Sequence, residues 1–582
     1  MLVPAPLLWT ISENPKIKAC ARDESGVYAK VNEHFVEGGN VTQSLGFSEV
    51  AYGFPCDTII FYRSRNEMDE KGSDGTFGKN RKMRRREFFA SGGAMLMGGA
   101  ASTAFSAADY VPTAGNAPAK WDETHDVIVV GTGFAGLSAA IEARGHGADV
   151  LVIEKMPVYG GNSIVNGGDF AAPGSSFQKE AGVEDSPDLM LKDMLAAGLN
   201  LNHPDLARVI CQRANEALEW ARTFIGAEFA RLNFHGGHSV KRSVQTVNQS
   251  GSELVNKLLI KAMESGVRME TRVKMTCLFT ENGRIAGMEV RRGYKWPDEA
   301  SGTSATIRAR RAVILASGGF SRDTSLRQLQ DPRITPEFES TNHPGATGEA
   351  LLEACRAGAM SVHMDWIQLG PWTSPDEPGF GYTPQVCERI VGYGLMVDPA
   401  TGKRFFRETG NRKERADAII ALGRPAVILG DTFAIESQVV PRGLQKAMET
   451  GAVRRFDTLE ELAKAYGIPA KPFFEEVARW NKFVEKKKDA DFDCMIFPDA
   501  QPTEKAPYYA MRLWPRVHHT MGGLVINTSA QVIGLDMKPI PGLYAAGEVT
   551  GGIHGAVRLG SVAMADCVIF GRIAGQNAAD LH

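Results

Sequence analysis

Three glycines and one glutamate have the types and the spacing needed to hold a dinucleotide. Gly131, Gly133 and Gly136 form the pattern G-x-G-x-x-G, and Glu154 follows further along the chain. In such a pattern the first glycine permits a tight turn, the second lets the backbone approach a pyrophosphate, and the third lets a helix pack closely on a strand. A carboxylate at Glu154 can accept hydrogen bonds from ribose hydroxyls, and it disfavours a 2′-phosphate and therefore NADP.

A strand–loop–helix–strand unit has to position these four residues. Asp126–Val130 is a short apolar, β-branched run that predicts a buried parallel strand, and Asp149–Ile153 predicts a second strand that ends at Glu154. The segment Leu137–Gly145 between them predicts a helix, whose first turn offers free N–H groups and a partial positive charge to phosphates. The four residues in this setting indicate a Rossmann-type dinucleotide-binding domain.

Further glycine-rich segments indicate which dinucleotide is bound. The stretch GGNSIVNGGDFAAPG covers 160–174, AVILASGGF covers 312–320 and IPGLYAAGEVTGG covers 540–552. The first can wrap further pyrophosphate and a flavin, and each of the other two places a strand directly before glycines. A chain that contributes separated segments of this kind is typical of FAD-binding folds in which a second domain is inserted into the first. We therefore expect FAD.

Composition and charge argue against several other classes of protein. The 582 residues include 65 Lys+Arg and 68 Asp+Glu, and this balance gives no support for a nucleic-acid partner. Eight cysteines are scattered and never form C-x-x-C, so the sequence has no haem-attachment, iron–sulfur or zinc-ribbon spacing, and we expect no metal site. No apolar run reaches about 18 residues, so we expect no membrane-spanning helix in the mature chain.

The segment MRRREFFASGGAMLMGGAASTAFSAADY, which begins at Met83, has the order of an export signal. Arg84–Phe89 gives a twin-arginine start, and a weakly apolar stretch of small residues follows it. We expect a twin-arginine (Tat) signal at 83–108 and export to the periplasm or the outer face of the cytoplasmic membrane. The alternative is a basic loop before a surface helix. Because the signal lies so far along the chain, we interpret 1–82 as a misassigned upstream extension and Met83 as the true start.

The chain from about 122 to 582 resembles the soluble fumarate reductase/flavocytochrome c family, within the succinate dehydrogenase flavoprotein group. The motifs that carry the resemblance are GGNS, TNHPGATGEALLEACRAGA, GKRFFRE, HHTMGG and AAGEVTGGIHGAVRLG. The resemblance implies an α/β fold, in which a Rossmann-type FAD-binding domain at 122–370 and 518–582 is interrupted by an inserted α+β capping domain at 371–517. It also implies non-covalent FAD, because SIVNGGD stands where relatives with covalent FAD have a histidine.

The resemblance further implies reduction of a C=C bond next to a carboxylate. In the family, reduced FAD gives hydride from N5 to the β-carbon, an arginine donates a proton to the α-carbon, and other cations clamp the carboxylate. Cations placed where negative charge develops favour the transition state over the ground state. The arginines and histidines of the matching motifs are therefore the candidate catalytic residues.

These candidates come from three of the matching segments. Arg412 in GKRFFRETGNRKERADAII matches the proton donor, with Arg407 and Arg415 as alternatives. His518 in RVHHTMGGL and Arg558 in HGAVRLG match the carboxylate clamp. The candidate cofactor-binding residues are Gly131, Gly133, Phe134, Ala135, Gly136, Glu154, Lys155, Gly161, Asn162, Ser163, Asn166, Gly168, Asp169, Ser317, Gly318, His519, Gly547, Glu548, Arg558, Ser561 and Val562.

Three departures from the family pattern argue against fumarate as the substrate. Glu388, a further catalytic candidate, fits one place of the family's proton relay, but Val391 fills the place of the relay arginine, for which the neighbouring Arg389 could substitute. The segment 369–371 (Leu-Gly-Pro) stands where fumarate reductases have a carboxylate-binding histidine, and Val557 replaces the usual asparagine before the clamp arginine. The lost polar groups indicate an acid with one carboxylate and a bulkier or less polar tail, such as a urocanate- or cinnamate-like acid.

Aromatic residues of the predicted cap could line the pocket for such a tail. The candidates are Trp372, Phe380, Tyr382 and Tyr393. The alternative is that they form the hydrophobic core of the cap itself, because aromatic residues dominate cores as often as they line pockets.

The electrons for such a reduction have to come from elsewhere. The chain has no C-x-x-C-H and no Ser-Gly-Ala-Thr flavin-attachment signature, so we expect a separate donor, a cytochrome or quinol-linked protein, in anaerobic respiration. We also expect a monomer. Two alternatives stay open: an FAD dehydrogenase or oxidase working in the reverse direction on a ketosteroid or amino acid, and an exported flavin electron carrier without catalysis.

Overall fold

The structure is a computed structural model that describes residues 115–581 in full. In the preceding part of the chain it describes only the backbone of three short strands, Trp9–Thr10, Cys20–Arg22 and Tyr28–Ala29, which pair in antiparallel fashion. The predicted signal at 83–108 and most of the predicted extension at 1–82 lie outside the described residues. Those two interpretations therefore stay predictions.

The strand before the glycine fingerprint is central to a nine-stranded sheet. It runs from Glu123 to Val130, begins earlier than predicted, and pairs in parallel with Val150–Glu154 on one side and Thr303–Leu315 on the other. Its residues Val127 to Val129 have no exposed surface, as expected for a strand with parallel neighbours and helices on its faces. The strands of this sheet are Gly115–Asn116, Glu123–Val130, Val150–Glu154, Arg268–Thr271, Val273–Glu281, Arg284–Arg292, Thr303–Leu315, Gln531–Ile533 and Pro539–Ala545.

Helices cover this sheet, and the fingerprint helix packs along the C-terminal one. The fingerprint helix begins at Phe134, three positions before the predicted Leu137, because Gly133 already takes the N-cap position. The helices outside the second sheet's region are Phe134–Gly145, Gly161–Val165, Ser176–Glu180, Pro187–Ala197, Pro204–Glu219 with a π turn at Trp220–Phe224, Ser252–Glu264, Thr324–Gln330, Glu349–Arg356 and Val562–Ala579. No helix among the described residues is long and apolar enough to span a bilayer.

A second, antiparallel sheet of five strands has its own hydrophobic core. Fully buried Phe473 and Trp480 lie at the centre of that core, and Phe234 is the one core residue that comes from outside 371–517. The strands are Leu395–Asp398, Lys403–Arg404, Ala426–Asp431, Val453–Phe456 and Tyr508–Leu513, and the helices are Thr383–Ile390, Arg412–Ala421, Thr432–Gln438, Pro441–Glu449, Leu459–Tyr466 and Ala470–Lys486. The domain boundaries proposed from the sequence stay predictions.

Of three further small sheets, two carry residues of the site described below. Ile367–Gly370 pairs with Arg516–Thr520, so the two segments where the chain enters and leaves the second sheet's region lie side by side. A three-stranded antiparallel sheet joins Asp169–Ala171, Ser243–Thr246 and Phe229–Asn233. The remaining pair is Ser361–Val362 with Gly523–Leu524.

Candidate active site

Two adjoining cavities lie in the described part of the chain, and one of them is lined in part by residues of the second sheet's region, among them Trp372, Glu388 and Arg412. One encloses about 960 Å³ and is lined by the glycine fingerprint and Glu154, and the other encloses about 1020 Å³. They share lining residues, among them Phe134, Ser163 and Glu548, so one elongated ligand can extend from the first cavity into the second. We call them the fingerprint cavity and the cationic cavity.

The fingerprint cavity has the features of a dinucleotide cradle. Gly133 caps the fingerprint helix without a side chain, which leaves the helix N-terminus open to an anion. Glu154 ends the second strand, and its carboxylate accepts hydrogen bonds from Thr132 Oγ1 at 2.7 Å and from the N–H of Met156 at 3.0 Å. These bonds fix the carboxylate while burial raises its pKa. A ribose hydroxyl can still bond to it, so the residues fit the predicted role.

The structure brings most of the predicted cofactor residues to these two cavities. The fingerprint cavity is lined by Gly131, Gly133, Phe134, Ala135, Glu154, Lys155, Gly161, Asn162, Ser163, Ser317, Gly318, Gly547 and Glu548. The cationic cavity is lined by Asn166, Asp169, His519, Arg558 and Ser561. Three predicted residues line neither cavity: Gly136, Gly168 and Val562. Gly136 acts instead by close packing, since a Cβ there would lie 2.0 Å from the carbonyl oxygen of Gly131.

This close packing gives a first prediction. We expect Gly136→Ala to weaken FAD binding at least tenfold, because the added methyl group displaces the turn that approaches the pyrophosphate. Gly145→Ala is the matched control at the end of the same helix, where a Cβ would have no neighbour within 4 Å. Flavin fluorescence titration of the two apoproteins measures the difference, and equal affinities would contradict the packing role.

Arg412 and Arg558 are the two cations that define the cationic cavity. Their exposed fractions are 6% and 4%, and neither has an ion-pair partner among residues 115–581. Nε and Nη1 of Arg412 and Nε of Arg558 also have no hydrogen-bond partner in this part of the chain. Burial, together with the charge of Arg415, lowers the pKa of Arg412, and burial, together with Arg412, lowers the pKa of Arg558 to about 9. An unpaired buried charge is costly, so the cavity is suited to an anionic ligand.

The helix Arg412–Ala421 explains why one arginine of a basic run faces this cavity. Asn411 caps the helix, its Oδ1 accepting from the N–H of Glu414 at 3.0 Å, and the buried face is formed by Arg412, Arg415, Ala416 and Ile419. Of the three candidate proton donors, only Arg412 lines the cavity. Arg415 pairs with Glu388 and donates to the carbonyl of Glu408.

Arg407, the other candidate donor, lies outside this helix and away from the cavity. Its side chain is 40% exposed and pairs with Glu414 at 2.8 Å. Such a solvated ion pair contributes little to stability, and Arg407 does not line the cavity. The geometry therefore favours Arg412 among the three.

His518 completes the cationic cavity beside the two arginines. Its Nδ1 lies 2.8 Å from Thr341 Oγ1, and its ring packs edge-on against Trp372 with ring centroids 4.6 Å apart. Phe380 lies 6.0 Å away on the same wall. Removal from water, and then the charges of Arg558 and Arg412, hold the pKa of His518 well below its usual range. A neutral imidazole can thus offer a hydrogen bond without adding a third buried charge.

Two of the four predicted aromatic residues do not reach the cavity. Trp372 and Phe380 line it. Tyr382 is 39% exposed at the surface, and Tyr393 is buried in the second core, where it stacks on Phe497. The prediction that Tyr382 and Tyr393 line the pocket is therefore wrong, and Tyr393 follows the alternative of a core residue.

The proton-relay candidates are also arranged differently from the sequence expectation. Glu388 lines the cavity, and burial alone would raise its pKa, but Arg415 lowers it well below the usual range. Arg389 Nη2 lies 3.2 Å from Asp169, and within residues 115–581 no ion pair joins the Arg389 side chain to that of Glu388. The idea that Arg389 substitutes for the missing relay arginine is thus not supported by its contacts. Val391, at the position of that arginine, is buried in the second core.

Sequence analysis missed His235, which lines the cavity between two carboxylates. Its Nε2 lies 3.3 Å from Asp169 and its Nδ1 lies 3.5 Å from Glu388. The three residues are far apart in the chain and belong to no shared motif, so no local pattern could have joined them. Only the folded chain brings this imidazole to the site.

The model of a protein family described as FAD binding domain matches residues 126–564. The chain belongs to this FAD-binding family. The predicted cofactor, FAD, is thereby confirmed, in agreement with the cradle around Glu154. FAD-binding proteins of this kind need the elongated space that the two adjoining cavities supply.

Several relatives of this FAD-binding protein are named as reductases of unsaturated acids. The chain is 41% identical over 486 residues to an acrylate reductase flavoprotein subunit of Shewanella woodyi, covering 82% of this chain and 96% of the relative. It is 37% identical over 465 residues to the cytochrome-type fumarate reductase of Shewanella frigidimarina, covering 78% and 77%. The open conformation of a flavocytochrome c3 fumarate reductase is 32% identical, with a TM-score of 0.62 over 79% of each chain. The resemblance to these flavoproteins and the predicted fold class are confirmed.

Proposed function

We propose that this protein is an FAD-dependent reductase of the C=C bond of an α,β-unsaturated carboxylic acid with one carboxylate. The observation that carries the proposal is the pair of buried guanidinium groups, Arg412 and Arg558, which line one cavity without an ion-pair partner in the described part of the chain. This cavity adjoins the FAD cradle. An anionic substrate held there lies next to the cofactor and offsets part of this positive charge.

Each polar group of the cavity then has a separate task. Arg558 binds the substrate carboxylate through a charge-assisted, two-pronged hydrogen bond, and His518 supports it as a neutral donor. Bound FAD supplies hydride to the β-carbon. Arg412, whose pKa is lowered by burial and by Arg415, donates the proton to the α-carbon. Glu388 is positioned by Arg415 to take part in returning a proton to Arg412.

The wall around the substrate supports a monocarboxylate. The segment 369–371 (Leu-Gly-Pro) stands where fumarate reductases have a carboxylate-binding histidine, and it lines no part of the cavity; Leu369 is buried in a small apolar cluster with Ile334 and Val517. Trp372 and Phe380 present further apolar surface to the cavity. A second carboxylate would meet no replacement cation from Leu369, so we propose that fumarate itself is a poor substrate. The S. woodyi relative is named for acrylate, which also has a single carboxylate.

The proposal also covers the electron donor and the cellular location of the protein. The S. woodyi relative is named as a subunit, and this chain has no C-x-x-C-H, so we propose that a separate cytochrome or quinol-linked protein delivers electrons during anaerobic respiration. Arg84–Phe89 supports export by the Tat pathway to the periplasm or the outer face of the cytoplasmic membrane. We further propose that the FAD is non-covalent and that the protein is a monomer.

Stopped-flow reoxidation of the chemically reduced holoenzyme tests the proposed activity. We expect acrylate, cinnamate or urocanate to reoxidise it at least tenfold faster than fumarate, because one clamp arginine suffices for one carboxylate. Reoxidation by none of these acids would contradict the proposal and favour a flavin carrier. Reduction of the oxidised holoenzyme by a ketosteroid or an amino acid would instead favour the reverse reaction.

A further inference from the structure

His235 has the geometry of a bridge between two buried carboxylates. Its ring is 6% exposed, and its two nitrogens face Asp169 at 3.3 Å and Glu388 at 3.5 Å. Neither nitrogen has a well-formed hydrogen bond to another group of the described chain. A neutral imidazole can accept a proton at one nitrogen and release one from the other. Among the described residues, His235 is therefore the side chain that lies next to both carboxylates.

The far end of this bridge, Asp169, is a buried carboxylate that several side chains hold in place. Its carboxylate accepts from Asn233 Nδ2 at 2.9 Å and from Gln245 Nε2 at 3.1 Å, and it pairs with Arg389 at 3.2 Å. Although burial opposes it, the charge of Arg389, with that of His235, lowers the pKa of Asp169 well below its usual range. Val165, which is 39% exposed, lines the same cavity as Asp169, so this cavity reaches the protein surface.

The near end of the bridge, Glu388, leaves one oxygen available. Arg415 holds Oε1 in an ion pair, while Oε2 has no well-formed hydrogen bond and faces His235. Arg412 lines the same cavity, and its charge adds to that of Arg415 in lowering the pKa of Glu388, which burial alone would raise. Glu388 thus lies between the imidazole and the proposed proton donor.

We propose that His235 relays protons from the Asp169 side of the cavity to Glu388, in place of the relay arginine that this chain lacks at Val391. The relay rests on the proposed function. In each turnover Arg412 gives one proton to the substrate α-carbon and recovers one from Glu388. Glu388 Oε2 is reprotonated from His235 Nδ1, and His235 Nε2 takes up a proton from solvent beside Asp169. Each transfer breaks one N–H or O–H bond and forms another, one proton moves in total from water to product, and no electron is transferred within the relay.

A purely structural role for His235 makes different predictions from a relay. The charged and titratable groups that face it are Asp169, Glu388, His238, Arg389, Arg412 and Arg415. Glutamine at this position can donate from its amide N–H group to a carboxylate but cannot pass a proton. If His235 only supports the site, glutamine should restore activity. If it binds the substrate tail, KM should change and kcat should not.

The experiment compares His235→Gln and His235→Ala with the wild-type holoenzyme, using acrylate, cinnamate and urocanate. We expect kcat to fall ten- to a hundredfold in both variants, with KM within twofold, and added imidazole to restore turnover in the alanine variant only. The rate at which dithionite reduces the bound FAD should not change, because that step needs no proton from this relay. Flavin content and circular dichroism establish that both variants are folded.

The outcomes separate the relay from the proposed function. If the wild-type enzyme reduces the acids and the His235→Gln variant reduces them at the same rate, the relay is overturned and the proposed function stands. A rise in KM at constant kcat would also overturn the relay and assign His235 to the substrate tail. A wild-type enzyme that reduces none of the acids would overturn the proposed function, and the relay with it. Asp169→Asn alone should lower kcat, as His235→Gln alone does. The double variant should be no slower than the slower of the two single variants.

Discussion

Arg412→Ala should lower kcat for the unsaturated acid by about 10³- to 10⁴-fold while the protein keeps its FAD. A positioned general acid contributes about 10²- to 10⁴-fold, and a preorganised cation at the developing charge adds to it. Arg412 is suited to both tasks because it is buried, faces the cavity and has free donor groups at Nε and Nη1. Single-turnover reoxidation of the reduced flavin measures the chemical step directly.

The matched control for this variant is Arg407→Ala. Arg407 belongs to the same basic run but lies at the surface, paired with Glu414, so its removal should change kcat by less than twofold. Arg412→Lys is an intermediate case, since it restores a proton and a charge but with a shorter reach and one point of contact. If Arg412→Ala turns over at the wild-type rate, the proton comes from another group and the assignment is wrong.

The nucleotide cradle could be predicted from the sequence because its determinants are local. The turn, the helix N-terminus and Glu154 all belong to one strand–loop–helix–strand unit, and the periodicity of each element is visible in a short window. The errors concerned only where elements begin. The helix starts at Phe134 since a glycine N-cap leaves no side-chain signal to mark the boundary.

The sequence could narrow the proton donor to a few arginines, but it could not decide between Arg412 and Arg415. A helix starting after Asn411 places Arg412 and Arg415 on one buried face, which the spacing alone permits. Glu388, which lies on a separate helix, forms an ion pair with Arg415 and so leaves Arg412 as the arginine that can bind the ligand. That contact is set by how the second sheet's region folds, and no local pattern reports it.

Long-range placement also explains the residues that the sequence got wrong or missed. Tyr393 has an aromatic side chain of the kind that can line a pocket, but the ring of Phe497 and the carboxylate of Asp499 hold it in the second core. His235 stands alone in its segment, and its role depends on two carboxylates brought in from other elements. In both cases the side chain's chemistry was visible and its partners were not.

Arg558→Ala should cost about 10²- to 10³-fold in kcat/KM for the acid. Truncating one partner of a buried, hydrogen-bonded charge pair costs about 2–5 kcal/mol, and the substrate carboxylate would lose its main counter-ion. The backbone that presents this side chain is well held, since Gln368 Nε2 donates to the carbonyl of Arg558 at 2.9 Å. The loss should therefore come from the guanidinium and not from a collapsed loop.

A change of substrate separates this electrostatic role from other effects of the variant. The neutral amide of the same acid lacks the carboxylate, so wild type and Arg558→Ala should reduce it with kcat/KM values within about fivefold of each other. Arg558→Lys should recover part of the rate for the acid, because it restores the charge without the planar fork. FAD affinity has to be measured in parallel, since Arg558 is also a predicted cofactor contact. Equal losses for acid and amide would show that Arg558 acts through the flavin or the fold, and the carboxylate clamp would then have to lie elsewhere in the cavity.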